Sequence, residues 1–211
     1  MRFESLTLIL VVITVLVSLA AFKDRNLLTK LILWPGRMNQ PSEYYRFLTS
    51  GFIHADMQHL IFNMISLLFM GYAVATMYDM FISKLLYLVL YLSAIVVSSI
   101  PSYLKNRRNM YYSSLGASGG VSAVTMALVY FAPWTKIVVF IIPMPAVIYA
   151  VLFVAGSAYM SKQGRDNINH DAHLWGALYG FLFTWAVEPT HGRWFLETIR
   201  QVPSFGDFFR Y

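Results

Sequence analysis

The sequence predicts an all-α fold, a polytopic membrane protein built as a bundle of six transmembrane helices with a large interfacial first loop. Hydrophobic residues make up 58% of the 211 residues and charged residues 12%, against roughly 45–50% and about 25% in a soluble domain. Six apolar stretches approach or exceed the roughly 20 residues that a membrane helix needs. They cover residues 5–22, 57–78, 85–104, 115–132, 137–160 and 172–187, and they contain no Asp, Glu, Lys or Arg.

The first stretch allows two interpretations. Arg2, an apolar run and Ser18-Leu19-Ala20 resemble a cleavable signal peptide, but Glu4 and the length of the run favour an uncleaved helix. The long connection that follows, residues 23–56, is rich in aromatic residues and Arg, which prefer the depth of the lipid headgroups. We therefore expect a structured interfacial loop there.

Two prolines interrupt the fifth apolar stretch. Pro143 and Pro145 fall inside this stretch, and proline within a helix predicts a kink.

We expect residues 1–188 to form one membrane domain. Residues 189–211 mix Trp194 and Phe195 with Arg193 and Arg200, which predicts an amphipathic surface tail.

The charged residues limit the classes of function but do not decide on which side of the membrane the N-terminus lies. The net charge of +6 suits contact with anionic lipid, and the scattered basic residues do not indicate a nucleic-acid surface. Without cysteine there is no disulfide or thiolate metal site. If the N-terminus is cytoplasmic, ten of the sixteen basic residues lie outside, so the positive-inside rule mildly favours the opposite topology.

The polar residues at membrane depth are the candidates for chemistry, because polar groups are costly there. Asp56 has the position of an N-cap for the second helix. His59, Asn63 and Ser66 then share one helical face. On the sixth helix, His173 lies on the same face as two glycines, Gly176 and Gly180.

The run Gly116-Ala117-Ser118-Gly119-Gly120 supports two interpretations. It matches the Gly-x-Ser-x-Gly nucleophile elbow, and it matches the small-residue pattern of packed membrane helices. The soluble hydrolase elbow is excluded because it needs a preceding strand.

If the glycines bring the fourth and sixth helices together, His173 can activate the Ser118 hydroxyl as a nucleophile. His59, Asn63 and the Ser118 backbone N–H can then donate to an oxyanion. Asp171 has the position of a helix-start residue, so a dyad fits better than a triad.

Each of these residues also has a non-catalytic interpretation. His59 and His173 suit a proton path in a transporter, and Asn63 suits helix–helix contact. His54 and His170 lie near helix ends, where interfacial positions are expected.

Three motifs in order give the chain a resemblance to the rhomboid intramembrane serine proteases. Residues 44–71 carry His54-x4-His59-x3-Asn63, residues 116–119 read Gly-Ala-Ser-Gly, and residues 172–180 read Ala-His-Leu-Trp-Gly-Ala-Leu-Tyr-Gly. The resemblance implies that Ser118 is the nucleophile, His173 the base, and His59, Asn63 and the Ser118 N–H the oxyanion donors. The residues it implies as supporting are His54, Arg46, Gly116, Gly119, Gly176 and Gly180.

The resemblance also implies partners and a topology. It implies a transmembrane protein substrate in a lipid bilayer, no metal or organic cofactor and no nucleic acid. The N-terminus is expected in the cytoplasm, the fifth helix as a lateral gate, and residues 161–169 as a cap over the water-filled site. We expect a bacterial inner membrane.

The chain departs from the family pattern at three positions. Ala75 and Asp79 stand where many rhomboids have Glu and Gly after the second helix, and Ser122 stands where an aromatic residue commonly stacks on the catalytic histidine. These departures leave a rival open, a non-catalytic rhomboid-like protein that binds membrane clients. Because Ser118 and His173 are both kept, the sequence favours the protease.

Overall fold

The computed structural model describes residues 4–139, 142–163 and 168–203, and α-helices dominate this part of the chain. The helices are α1 (Glu4–Lys23), α2 (Arg25–Leu31), α3 (Arg46–Thr49), α4 (Met57–Phe81), α5 (Lys84–Asn106), α6 (Ser118–Phe131), α7 (Ala146–Gln163), α8 (His170–Val187) and α9 (His191–Arg200). Strands β1 (Lys136–Val139) and β2 (Ile142–Pro145) pair antiparallel.

Each of the six predicted stretches contains one helix, namely α1, α4, α5, α6, α7 and α8, which confirms the all-α polytopic fold. Three of them, α1, α4 and α5, are long and apolar enough to cross a membrane. Helix α6 has 14 residues, of which 12 are buried, so it forms the centre of the bundle. The other helices pack around it, with α8 and α5 among its principal neighbours.

The prediction for the fifth stretch is wrong over its first part. Residues 136–139 and 142–145 form the two strands, and the helix begins only at Ala146. Pro143 and Pro145 therefore lie in β2, paired with Val138 and Lys136, and they kink no helix. A residue that precedes proline is pushed toward an extended backbone, and a proline is tolerated where a strand has a free edge.

The connection between α1 and α4 is structured, as predicted. It contains α2, α3 and three 3-10 turns. The Arg46 guanidinium holds this loop together, because Nη1 donates to the backbone oxygens of Thr29 at 2.6 Å and Ile32 at 3.0 Å. Asp56 caps α4 as predicted, accepting a hydrogen bond from His59 N at 2.8 Å.

The N-terminal helix is part of the bundle. The hydroxyls of Thr7 and Tyr87 lie 2.9 Å apart in the buried contact between α1 and α5, and α1 packs along α4. That this helix is retained and not cleaved stays a prediction.

Helix α9 packs against α6 and the segment after it. The Trp134 indole N–H donates to the Thr198 carbonyl at 2.7 Å, and the Phe195 ring stacks on Tyr130 with centroids 5.8 Å apart. Trp194 and Leu196 are exposed, as an interfacial helix requires. The division at residues 188 and 189 stays a prediction, and residues 204–211 of the predicted tail lie outside the described residues.

Candidate active site

The backbone before Ser118 is fixed by contacts from several elements. Leu33 and Ser114 exchange backbone hydrogen bonds of 3.1 and 2.9 Å, and Gly116 N donates to the Ser50 carbonyl at 2.9 Å. Gly116 has φ +117°, a conformation that only glycine adopts readily. A Cβ there would also lie 2.7 Å from His59 Cε1. The glycine is needed so that His59 can lie beside this segment.

His54 holds the residue next to the candidate nucleophile. The Ala117 N–H donates to His54 Nε2 at 3.3 Å, so Nε2 carries no proton and the proton lies on Nδ1. Nδ1 is 3.0 Å from Ser18 Oγ, which donates in turn to the Phe52 carbonyl at 3.0 Å. The His54 side chain is buried in the centre of this network, and the supporting role that the resemblance implies for it stays a prediction.

The electrostatic environment keeps His54 neutral. Burial, and to a smaller extent the neighbouring His59, lower its pKa to about 3, although Asp56 opposes the shift. A neutral imidazole can accept the hydrogen bond from Ala117 N, whereas an imidazolium cannot. The low pKa thus preserves the contact that positions the start of α6.

The structure brings His59 close to this segment. Its ring packs edge-on against His54 with centroids 4.9 Å apart and lies against Gly116, two residues before Ser118. Asn63 is buried one turn further along α4, and its side-chain Nδ2 donates to the His59 carbonyl at 2.9 Å. One Asn63 N–H is thus bonded to its own helix, and the amide carries a second.

The start of α8, which carries His173, is tied to the segment that leads to Ser118. Asn169 caps the helix through Oδ1, which accepts from Ala172 N at 3.0 Å and from Ser102 Oγ at 2.8 Å. Its Nδ2 donates to Ser114 Oγ at 2.8 Å. One amide therefore joins α5, α8 and the residues before α6.

Glycines allow α6 and α8 to touch through their backbones, as the sequence predicts. A Cβ at Gly176 would lie 2.9 Å from Gly119 Cα and closer still to its carbonyl oxygen. A Cβ at Gly180 would lie 2.6 Å from the carbonyl carbon of Ala123. Gly119 directly follows Ser118, and Gly176 is one turn after His173, so this contact brings the two helix starts together.

The surroundings of His173 include a residue that sequence reasoning missed. The Phe153 ring of α7 stacks on the imidazole, with centroids 5.6 Å apart and planes inclined by 25°. His170 packs edge-on at 5.7 Å. Asp171 interacts elsewhere, with Lys105 Nζ at 3.4 Å and with the Ser161 hydroxyl, so it behaves as the helix-start residue that the sequence predicts.

The three departures from the family pattern have clear positions. The Ser122 hydroxyl donates to the Ser118 carbonyl at 2.7 Å, so it turns onto its own helix. Ala75 is buried within α4, and Asp79 pairs with Lys84 at 4.0 Å.

Of the predicted cap, residues 164–167 lie outside the described residues. In the described part of the chain, no group of three or more His, Cys, Asp or Glu residues is arranged to hold a metal.

Comparison with known proteins adds family evidence to this geometry. Residues 41–189 match the family model described as the Rhomboid domain. The chain is 29% identical over 151 residues to RHOMBOID-like protein 12, mitochondrial, of Arabidopsis thaliana, covering 63% of this chain and 43% of that relative. It is 31% identical over 163 residues to Rhomboid protein 1, mitochondrial, of Saccharomyces cerevisiae, covering 69% and 46%.

A bacterial protein also matches. The chain is 29% identical over 139 residues to the Rhomboid protease GluP of Bacillus subtilis, covering 66% of this chain and 25% of that relative. The chain spans less than half the length of these curated relatives.

Proposed function

Because the chain belongs to the rhomboid family, we propose that it is an intramembrane serine protease that uses a Ser118–His173 dyad. The observation that carries the proposal is the backbone contact between α6 and α8, in which Gly119 meets Gly176. Such a contact brings a serine at the start of one helix near a histidine at the start of the other. The similarity to a bacterial protein named as a protease adds support.

The reaction follows from the groups at this end of the bundle. His173 accepts the proton of the Ser118 hydroxyl as the oxygen attacks the peptide carbonyl carbon, because serine needs an adjacent base at neutral pH. Donors from His59, Asn63 and the Ser118 backbone N–H stabilise the resulting oxyanion. His173 then protonates the departing amine, and it later deprotonates the water that hydrolyses the acyl-enzyme.

The substrate and the location are part of the same proposal. A protein embedded in a bilayer meets its substrates there, so we propose membrane proteins as substrates. They would carry small or helix-breaking residues near the cleaved bond, because a stable helix sequesters its own carbonyls. We propose a bacterial cell membrane as the location; one relative is bacterial, whereas the plant and yeast relatives are named mitochondrial. Fractionation of the source cell distinguishes the two locations.

A second candidate function is the binding of membrane clients without cleavage. It is favoured by Ser122, whose small side chain replaces the aromatic residue expected from the resemblance, and by Ala75, which replaces the expected Glu. Neither substitution removes a reacting group, so the protease remains the better proposal.

Cleavage of a tagged single-span substrate in proteoliposomes tests the proposal. The variants are Ser118→Ala and His173→Ala, with Ser113→Ala as a control on an exposed serine of the same segment. We expect cleavage by wild type and Ser113→Ala and none by the other two. Equal inactivity of all four across several substrates, with retained substrate binding, would favour client binding.

A further inference from the structure

We propose that Phe153 of α7 is a positioning residue for His173, and that it makes the orientation of the imidazole depend on where α7 lies. The inference rests on the proposed function, because it gives Phe153 a catalytic consequence only if His173 is the base. It adds a residue that none of the three sequence motifs contains. The observation behind it is the stack of aromatic rings between α7 and α8.

The stack has the geometry that holds an imidazole in place. The Phe153 and His173 rings are 5.6 Å apart and nearly parallel, within the 4.5–7 Å range that offset aromatic pairs favour. Tyr149 continues the stack, with its ring 5.4 Å from Phe153 and inclined by 27°. Tyr149 and Phe153 are four residues apart and share one face of α7, which is the face turned to α8.

The ring comes from a different helix than the resemblance implies. An aromatic residue at position 122 would project from α6, the helix that carries the nucleophile. The side chain there is a serine whose hydroxyl bonds to the Ser118 carbonyl. Phe153 contributes an aromatic ring to His173 from α7, so the expected stacking is supplied by another element.

The position of Phe153 matters because the side chains of α7 that are fully buried are all small. Its buried residues are Ala146, Ala150 and Ser157, whereas Val151 and Leu152 are 64% and 59% exposed. The larger side chains of α7 that pack against the core, Val147 and Tyr149, are only partly buried. A displacement of α7 away from α8 would take the Phe153 ring off the imidazole, and its return would restore the stack. The base is therefore oriented only when α7 is packed against α8.

Kinetics with three variants test the positioning role. Phe153→Leu keeps an apolar side chain but removes the ring, Phe153→Tyr keeps the ring, and Leu152→Ala changes an exposed neighbour on the same helix. We expect Phe153→Leu to lower kcat about two- to tenfold, the range that the energy of an aromatic pair implies, with little change in KM. Phe153→Tyr and Leu152→Ala should retain the wild-type kcat. Thermal unfolding of each variant identifies a loss of fold.

An NMR measurement tests the contact without depending on cleavage. The His173 Hε1 signal, assigned by its loss in His173→Asn, should be displaced upfield by the stacked ring. It should move downfield in Phe153→Leu and stay displaced in Phe153→Tyr. An identical Hε1 position in wild type and Phe153→Leu would overturn the inference, and so would an unchanged kcat in an active Phe153→Leu enzyme. If wild type fails to cleave, the proposed function fails, and the NMR result still decides the stacking.

Discussion

The contact between Gly176 and Gly119 provides the sharpest test of the packing on which the proposed dyad depends. Replacing Gly176 by alanine adds a Cβ 2.9 Å from Gly119 Cα, whereas ordinary van der Waals contact begins at 3.4 Å. The Cα alone therefore requires the helices to separate by about 0.5 Å. The carbonyl oxygen of Gly119 is closer and requires more, so we expect a shift of about 1 Å at the two helix starts.

The expected effects follow from the atoms involved. Backbone atoms cannot rotate away as a flexible side chain can, so overpacking should destabilise the fold by about 1–3 kcal/mol. A displacement of about 1 Å at a catalytic pair costs on the order of 100-fold in rate. A 100-fold loss in rate corresponds to about 2.7 kcal/mol in the activation free energy, so Gly176→Ala should lose activity and stability by comparable free energies.

Gly156→Ala is the matched control. It makes the same chemical change in α7, where an added Cβ meets no heavy atom within 4 Å. Thermal unfolding in detergent and cleavage in proteoliposomes should both stay near wild type for this variant. If Gly176→Ala and Gly156→Ala behaved alike in both assays, the claim that the α6–α8 contact aligns the site would be refuted.

Three further predictions concern separate contacts. Asn169→Ala removes the cap of α8 and its hydrogen bonds to α5 and to the segment before α6. Thermal unfolding should therefore show a loss of about 1–2 kcal/mol in the free energy of unfolding. The control Gln58→Ala, at an exposed position, should show almost no loss. Tyr130→Phe deletes the hydroxyl that donates to the Glu188 carbonyl. It should lower the free energy of unfolding by about 1 kcal/mol and increase hydrogen exchange in α9. Unchanged exchange would argue against a role of this hydrogen bond in holding α9. His54 has a pKa near 3 in the fold and an ordinary value of 6.5. The neutral imidazole therefore contributes fully to the free energy of unfolding above pH 6.5. That contribution declines as the pH falls toward 3, by up to about 1.4 kcal/mol per pH unit. Unfolding temperatures at pH 7 and pH 5 should therefore differ more in wild type than in His54→Gln, and equal differences would contradict the assignment.

The helices and the helix–helix contact could be predicted from the sequence because their signals are local. Asp56 has a typical N-cap position, and it does cap α4. Glycines three and seven residues after His173 mark one face of α8, and that face meets α6. Residue spacing along a helix is enough for both predictions, since helical geometry fixes which residues share a face.

The sequence is least informative where long-range contacts decide the structure. His54 precedes a helix in the sequence, but its partners Ser18 and Ala117 lie far away along the chain. The apolar character of residues 142–145 predicts a helix, but two prolines favour an extended backbone for the residues before them. Phe153 was missed because α7 is apolar on most sides, so no pattern indicates which face meets α8.

Covalent labelling by a fluorophosphonate tests whether Ser118 is activated by His173, because such reagents modify a serine that an adjacent base activates. The protein would be labelled in liposomes, digested, and the modified residue located by mass spectrometry. We expect an adduct on Ser118 in wild type, none in His173→Ala, and none on Ser122 in either protein. Equal labelling of wild type and His173→Ala, or an adduct on a different serine, would contradict the Ser118–His173 dyad.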